Sequence, residues 1–170
     1  MPVLRYRDKY PRIGRNVLIP STAYVIGDVE IGNDVSLWPF VVVRGDEDKI
    51  IIGDNTNIQD LTVVHTDKGI VTQIGNGVTI GHRALIHGAK IGNNVLIGMG
   101  AILLNNSVIG DYSIIGAGAV VTEGSVIPPY SIAVGVPAKV IKTVDEETKA
   151  RIINNYKAYL ELAKEYMGVL

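Results

Sequence analysis

The sequence predicts an all-β solenoid: parallel coils built from six-residue units, followed by one C-terminal α-helix. Three observations predict it. One aliphatic residue recurs every six residues over about a hundred positions. The series runs Val25, Ile31, Leu37, Val43, then Ile52, Ile58, Val64, then Ile74, Ile80, Ile86, then Ile91, Ile97, Leu103, Ile109, Ile115, Val121, Ile127. Two positions before it stands a small or β-branched residue, as at Val35, Thr62, Val78, Ala84, Val95, Ala101, Ser107, Ser113, Ala119 and Ser125. Glycine follows the aliphatic at 32, 53, 75, 81, 92, 98, 110 and 116.

Six is a multiple of two, so the period suits strand alternation and fits a 3.6-residue helix poorly. Each unit is then a short strand plus a corner, and three units close a triangular coil. The recurring aliphatic points inward and builds a column. A β-sandwich of short strands is the other all-β solution, but sandwich strands seldom keep one period for so long. Periodicity leaves the handedness open, since parallel crossovers are normally right-handed. The hexapeptide pattern resembles the left-handed parallel β-helix family, and that resemblance implies a left-handed winding.

The coil is expected over residues 1–143, with the chain leaving the repeat near "YSIAVGVPAKVI", residues 130–141. Residues 144–170 are expected as the helix. Ile152, Tyr156, Tyr159, Leu160, Ala163 and Met167 fall on one face, and Asp145, Glu146 and Glu147 suit a helix amino terminus. So short a helix cannot bury that face alone, so it should lie on the coil or on a neighbouring chain.

Composition excludes several functions. The chain has 170 residues, enough for one sizeable core. Its formal net charge is −1 and no basic run stands out, which gives nucleic-acid or membrane-surface binding no electrostatic support. Cysteine is absent, which removes disulfides, thiolate metal sites and cysteine nucleophiles. No apolar run reaches membrane-spanning length, and "MPVLRYRDKYPRIG" lacks the apolar core of a signal peptide. A cytoplasmic protein is expected.

Function is expected where the repeat breaks, because repeat proteins place insertions on one working face. Val43 to Ile52 is nine residues, Val64 to Ile74 ten, and Ile86 to Ile91 five. Arg44, His65 and His87 stand beside these breaks in place of the usual glycine. Val43, Val64 and Ile86 lie three units apart, one coil each. Arg44, His65 and His87 should therefore share one register on one face, pointing outward, with the two imidazoles stacked and parallel. His82 sits two residues past Ile80, on the preceding face. Five extended residues separate it from His87 by up to roughly 17 Å, whereas zinc needs nitrogens about 2.0–2.1 Å away. An interface between copies could complete such a site, with His65 and His87 from one chain and His82 from another. A triangular prism packs naturally into a threefold ring.

The elements "RGDE" (44–47), "NIQD" (57–60), "VVHT" (63–66), "TIGH" (79–82) and "IHGAKIG" (86–92) resemble the γ-class carbonic anhydrase family, in order and over nearly the whole chain. The resemblance implies a homotrimer with a metal at each interface, held by His65, His82 and His87. Zn2+ is the expected cofactor, with Fe2+ or Co2+ as alternatives. It implies reversible hydration of carbon dioxide to bicarbonate by a metal-bound hydroxide. Gln59 matches the residue that orients this hydroxide, and Asn57 and Glu47 match positions lining the same pocket. Arg44 and Asp46 resemble a pair that links subunits, and Asp60 is read with them as structural ion pairing. Tyr159 resembles a tyrosine that reaches the site. Better-known active members carry a longer acidic loop after the first histidine. Here "TDKGIVTQ" (66–73) holds one acid, Asp67, so the chain resembles the short-loop branch, in which activity varies.

Two other functions fit the same coil. One is an acyl-CoA-handling hexapeptide transferase or thioesterase, which needs one histidine as base and not three in this spacing. The other is a non-catalytic metal-binding scaffold.

Overall fold

The computed structural model describes residues 2–169. It is a parallel β-solenoid of about seven turns with a single C-terminal helix. Two- and three-residue strands stack from coil to coil. Strands such as Thr79–Ile80, Leu96–Ile97 and Ile114–Ile115 pair in parallel along one face. The other two faces are joined into one larger sheet by the strand Val42–Ile52, which runs across their shared corner. The terminal hairpin, Ser131–Val134 with Lys139–Thr143, is antiparallel, as is the isolated bridge between Tyr6 and Lys9.

The aliphatic series forms the core. Every residue in it is buried, from Val25 to Ile127, and Ala133 extends the column by one unit. The residues two positions earlier are also buried, Ser125 excepted, which is half-buried. Two inward positions per unit fill the triangular interior, and the third side of each unit is a turn. Each turn places one residue in the left-handed region, for example Asn55, Leu61 and Gly88.

The glycine after each aliphatic has a steric reason. A Cβ on Gly75 would lie 2.5 Å from the Gly92 carbonyl oxygen, and one on Gly81 would lie 2.8 Å from the Met99 nitrogen. Only a hydrogen lets successive coils approach this closely. The residue after that glycine is Asn or Asp at several corners, and its side chain joins the coils. Asn33, Asp54, Asn76, Asn93 and Asp111 accept from the backbone N–H groups of Arg15, Asn33, Asp54, Asn76 and Asn93 at 2.7–3.0 Å. This ladder satisfies backbone donors that the corner would otherwise leave unpaired.

The helix Glu146–Tyr166 lies on the coil of its own chain. Ile152 is buried with Ile114 and Val144, while Ala163 packs with Leu18 and Trp38. Tyr159 meets Trp38 edge to face, with ring centroids 5.5 Å apart. Of the expected apolar face, Met167 falls beyond the helix and is exposed. Asp145 is the N-cap: its carboxylate accepts from the Thr148 N–H at 2.8 Å.

Ile97→Ala should cost about 2–5 kcal/mol in chemical denaturation, because it opens a cavity in the column. Val126→Ala, at a position 65% exposed, should stay within about 0.5 kcal/mol of the parent. The Thr148 hydrogen bonds hold the Asp145 carboxyl below its usual value of 3.8. A lowered folded-state pKa stabilises above that value and loses its effect as pH falls through the folded pKa. Asp145→Ala should therefore lower the melting temperature at pH 7, and the gap should narrow in acid.

Candidate metal centre

The first cluster grows from one column of outward residues. Strands Val63–His65 and Leu85–His87 pair in parallel with His87 directly opposite His65. Val43 pairs with Val64, which puts Arg44 next in the same column. His65 and His87 therefore occupy the shared register that the spacing predicts. Their rings differ from the parallel stack expected: the centroids are 5.0 Å apart and the planes cross at 61°. Each ring is turned by its own polar partner. His65 Nε2 meets Asp46 Oδ1 at 2.9 Å, and His87 Nδ1 meets Asn105 Oδ1 at 2.8 Å. The remaining nitrogens, His65 Nδ1 and His87 Nε2, face each other at 3.1 Å.

Asp46 is held in turn by Arg44. Burial opposes ionisation of its carboxyl, but the hydrogen bonds from Arg44 and His65 outweigh that and keep it below the ordinary range. Arg44 and Asp46 thus pair within one chain. Glu47 is exposed beside them, on the wall of a cavity of about 240 Å³ shared with Tyr6, Arg7, Asp28 and Asp48. It lies on the His65 side of the molecule, apart from Gln59.

The second cluster sits on the preceding corner. Asp60 and His82 hold equivalent places one coil apart, each followed by a left-handed residue, Leu61 or Arg83. The Arg83 N–H bonds the Asp60 carbonyl at 2.9 Å. His82 Nδ1 contacts Asp60 Oδ2 at 2.8 Å, so an ionised Asp60 accepts from Nδ1 and leaves Nε2 unshielded. His82 borders an open pocket of about 200 Å³ with Gln59, Thr79, Met99, Asn155 and Tyr159. Asn57 and Gln59 are buried here. Asn57 donates to Thr79 Oγ1 at 2.9 Å and accepts from Gln59 Nε2 at 3.2 Å. That sequence of bonds leaves the Gln59 carbonyl oxygen as its remaining polar atom. Burial, then the charge of Asp60, push the Tyr159 phenol up from its ordinary value, so it stays a hydrogen-bond donor at neutral pH.

The structure therefore divides the predicted residues into two groups. His65, His87, Arg44, Asp46 and Glu47 lie on one side, and His82, Asp60, Asn57, Gln59 and Tyr159 on the other. Among the described residues no three His, Asp or Glu side chains gather closely enough to hold a metal. The donor chemistry fits one nonetheless. Two nitrogens bound to a single tetrahedral zinc at about 2.0–2.1 Å stand roughly 3.3 Å apart, close to the 3.1 Å between His65 and His87. All three imidazoles also carry the carboxylate or amide partner that metal-binding histidines use. Sequence reasoning missed Asn105 and Asn155. Asn105 comes from the next coil and had no spacing signal. Asn155 lies on the helix four residues before Tyr159, and its carbonyl oxygen is buried without a partner among the described residues.

Comparison with known proteins agrees with this architecture. The family model "Bacterial transferase hexapeptide (six repeats)" matches residues 10–45 and 88–123. The chain is 50% identical to the "Probable carbonic anhydrase" of Methanocaldococcus jannaschii, over 89% of this chain and 96% of that protein. It is 44% identical to "Protein YrdA" of Escherichia coli, over 97% of this chain and 94% of that one. The crystal structure of a "hexapeptide transferase family protein" from Anaplasma phagocytophilum superimposes with a TM-score of 0.93 at 38% identity, covering 96% of this chain and 97% of its own. No helix among the described residues is long and apolar enough to cross a membrane. The coil, the three placed histidines and these relatives lead to one conclusion: the chain belongs to the γ-class carbonic anhydrase family of hexapeptide-repeat proteins.

Proposed function

We propose that the protein is a carbonic anhydrase-like metalloenzyme, hydrating carbon dioxide reversibly to bicarbonate at the interfaces of a homotrimer. One observation carries the reading: each chain presents two incomplete clusters on different sides, one with two imidazoles and one with a third. A threefold ring brings the first cluster of one copy against the second cluster of the next. His65 and His87 of one protomer and His82 of the partner subunit would hold Zn2+, with Fe2+ or Co2+ as alternatives. The chemistry supplied on binding is Lewis acidity, which lowers the pKa of water to about 7 and furnishes the nucleophile for carbon dioxide.

The chain's own residues then have definite tasks. Asp60 orients His82 through Nδ1 and keeps Nε2 free. Asn57 anchors Gln59, whose carbonyl oxygen accepts from a hydroxyl in the pocket and so fixes its direction. The protonated Tyr159 phenol donates to an oxygen of the substrate or product. Arg44 and Asp46 hold His65. The relative from Methanocaldococcus jannaschii named as a carbonic anhydrase supports this reading. The hexapeptide transferase likeness favours a second one, acyl transfer from a CoA thioester on the same coil. That chemistry leaves the pairing of His65 with His87 without a purpose.

The test is metal content and carbon dioxide hydration on one anaerobically purified sample. About one metal per subunit with hydration is expected. Metal without hydration would move the reading to acyl-CoA substrates. His87→Ala should lose the metal and keep the fold, since the side chain points outward. Mixing His82→Ala chains with His65→Ala chains should restore about one intact site in each mixed trimer. If no mixture regains metal, the shared site is wrong.

A further inference from the structure

Asn105 joins three coils through two hydrogen bonds. Its Oδ1 meets His87 Nδ1 at 2.8 Å, and its Nδ2 donates to Asp67 Oδ2 at 2.7 Å, across 38 residues of chain. The direction of these bonds is fixed from one end. An ionised Asp67 can only accept, so the amide must offer it the NH2 group. Its carbonyl oxygen is then committed to His87, which must donate through Nδ1. In the neutral ring Nε2 is left without a proton, the form in which an imidazole binds a metal. That nitrogen faces His65 Nδ1 at 3.1 Å, where a cation or a proton must lie between the two lone pairs, and it stands 3.9 Å from Asp67 Oδ1.

We infer that Asp67 and Asn105 form a relay that selects the tautomer and orientation of His87, with Asn105 as the positioning residue. The inference rests on His87 being a ligand of the proposed metal. It gives the lone acid of the short loop a task that does not require contact with substrate. It also explains how the loop is retained so near the site. The loop is folded on itself by the Ile70 N–H, which bonds the Asp67 carbonyl at 3.0 Å. It is tied to the preceding insertion by the Gly69 N–H, which bonds Asp48 Oδ2 at 2.8 Å. Asn105 adds the connection to the following coil. Loop position and ring orientation are thereby coupled through one side chain.

The experiment uses the full chain, metal-free, with 15N-labelled histidine, and reads the His87 tautomer from its ring-nitrogen shifts. The wild type should show the His87 Nδ1 protonated. Asn105→Ala should mix the tautomers, speed amide exchange at Gly69 and Ile70 about tenfold, and weaken Zn2+ binding by about 10–100-fold. Asn105→Asp retains the acceptor for His87 and loses the donor for Asp67. It should keep the tautomer and most of the zinc affinity while the loop amides still exchange faster. Asp67→Ala leaves the amide free to turn over, and the tautomers should mix although Asn105 is intact. An unchanged tautomer in Asn105→Ala or Asp67→Ala, or a lost one in Asn105→Asp, would overturn the relay. If the tautomers behave as described but the wild type binds no Zn2+, the relay stands and the metal reading fails.

Discussion

Parallel register between successive coils is the constraint on which the rest of the molecule depends. Side chains alternate faces along a strand, so a slip of one residue would turn the whole aliphatic column outward and every outward group inward. Burial of the column sets this register and the hydrogen-bond ladder fixes the coil spacing, near 4.8 Å for neighbouring strands. Gly75, Gly81 and their equivalents let the coils close to that distance, and the Asn and Asp corners then pair the backbone. His65 and His87 meet because Val64 and Ile86 are buried beneath them, one coil apart. The geometry of the candidate site is thus inherited from the core.

The same constraint explains why one chain holds two partial clusters. A triangular coil can stack residues along a face but cannot turn a corner residue back onto the next face. His82 lies at the corner, bordering the pocket that Gln59 and Tyr159 also line, while the imidazole pair faces another side. The polar neighbours of the three rings are not interchangeable. Asp46 and Asp60 favour protonated ring nitrogens at His65 Nε2 and His82 Nδ1, and Asn105 does the same at His87 Nδ1 without adding charge. Each leaves one nitrogen of its ring free, and placing such a partner is costly unless its other atoms are also satisfied. Arg44 meets that requirement for Asp46, and Asp67 meets it for Asn105.

The coil was legible in the sequence because strand alternation makes a period of six unambiguous. That period sufficed to place His65 and His87 in one register and His82 on another face. Ring orientation was not legible, because it is set by partners from distant positions: Asp46 arrives through an insertion and Asn105 from the coil beyond. Glu47 followed the same insertion to the His65 side, away from Gln59. The helix was visible in its periodicity, but the periodicity could not say that Trp38 on the same chain would receive Tyr159. Asn105 carried no signal, since an asparagine two residues past Leu103 reads as an ordinary corner. Its task appears only when the side chains facing it from His87 and Asp67 are known.

The breaks in the repeat form a matched pair. Four residues are added after His65 and one is removed after His87, and both changes meet at Thr72, which is fully buried. Its hydroxyl donates to the His65 carbonyl at 2.8 Å and accepts from the Gly88 N–H at 3.0 Å. The Gly88 N–H also meets the His65 carbonyl directly at 3.2 Å, so this one side chain reinforces the ladder contact where the spacing is irregular. Gly88 is left-handed at φ 61°, and a Cβ there would meet Asn105 and come within 3.0 Å of Ile70. The missing residue is what brings Asn105 and the loop against His87. Insertion and deletion therefore do the work of one another: the first supplies Asp67 and Thr72, the second lets the next coil reach them. Neither would leave the histidine pair both aligned and supported without the other.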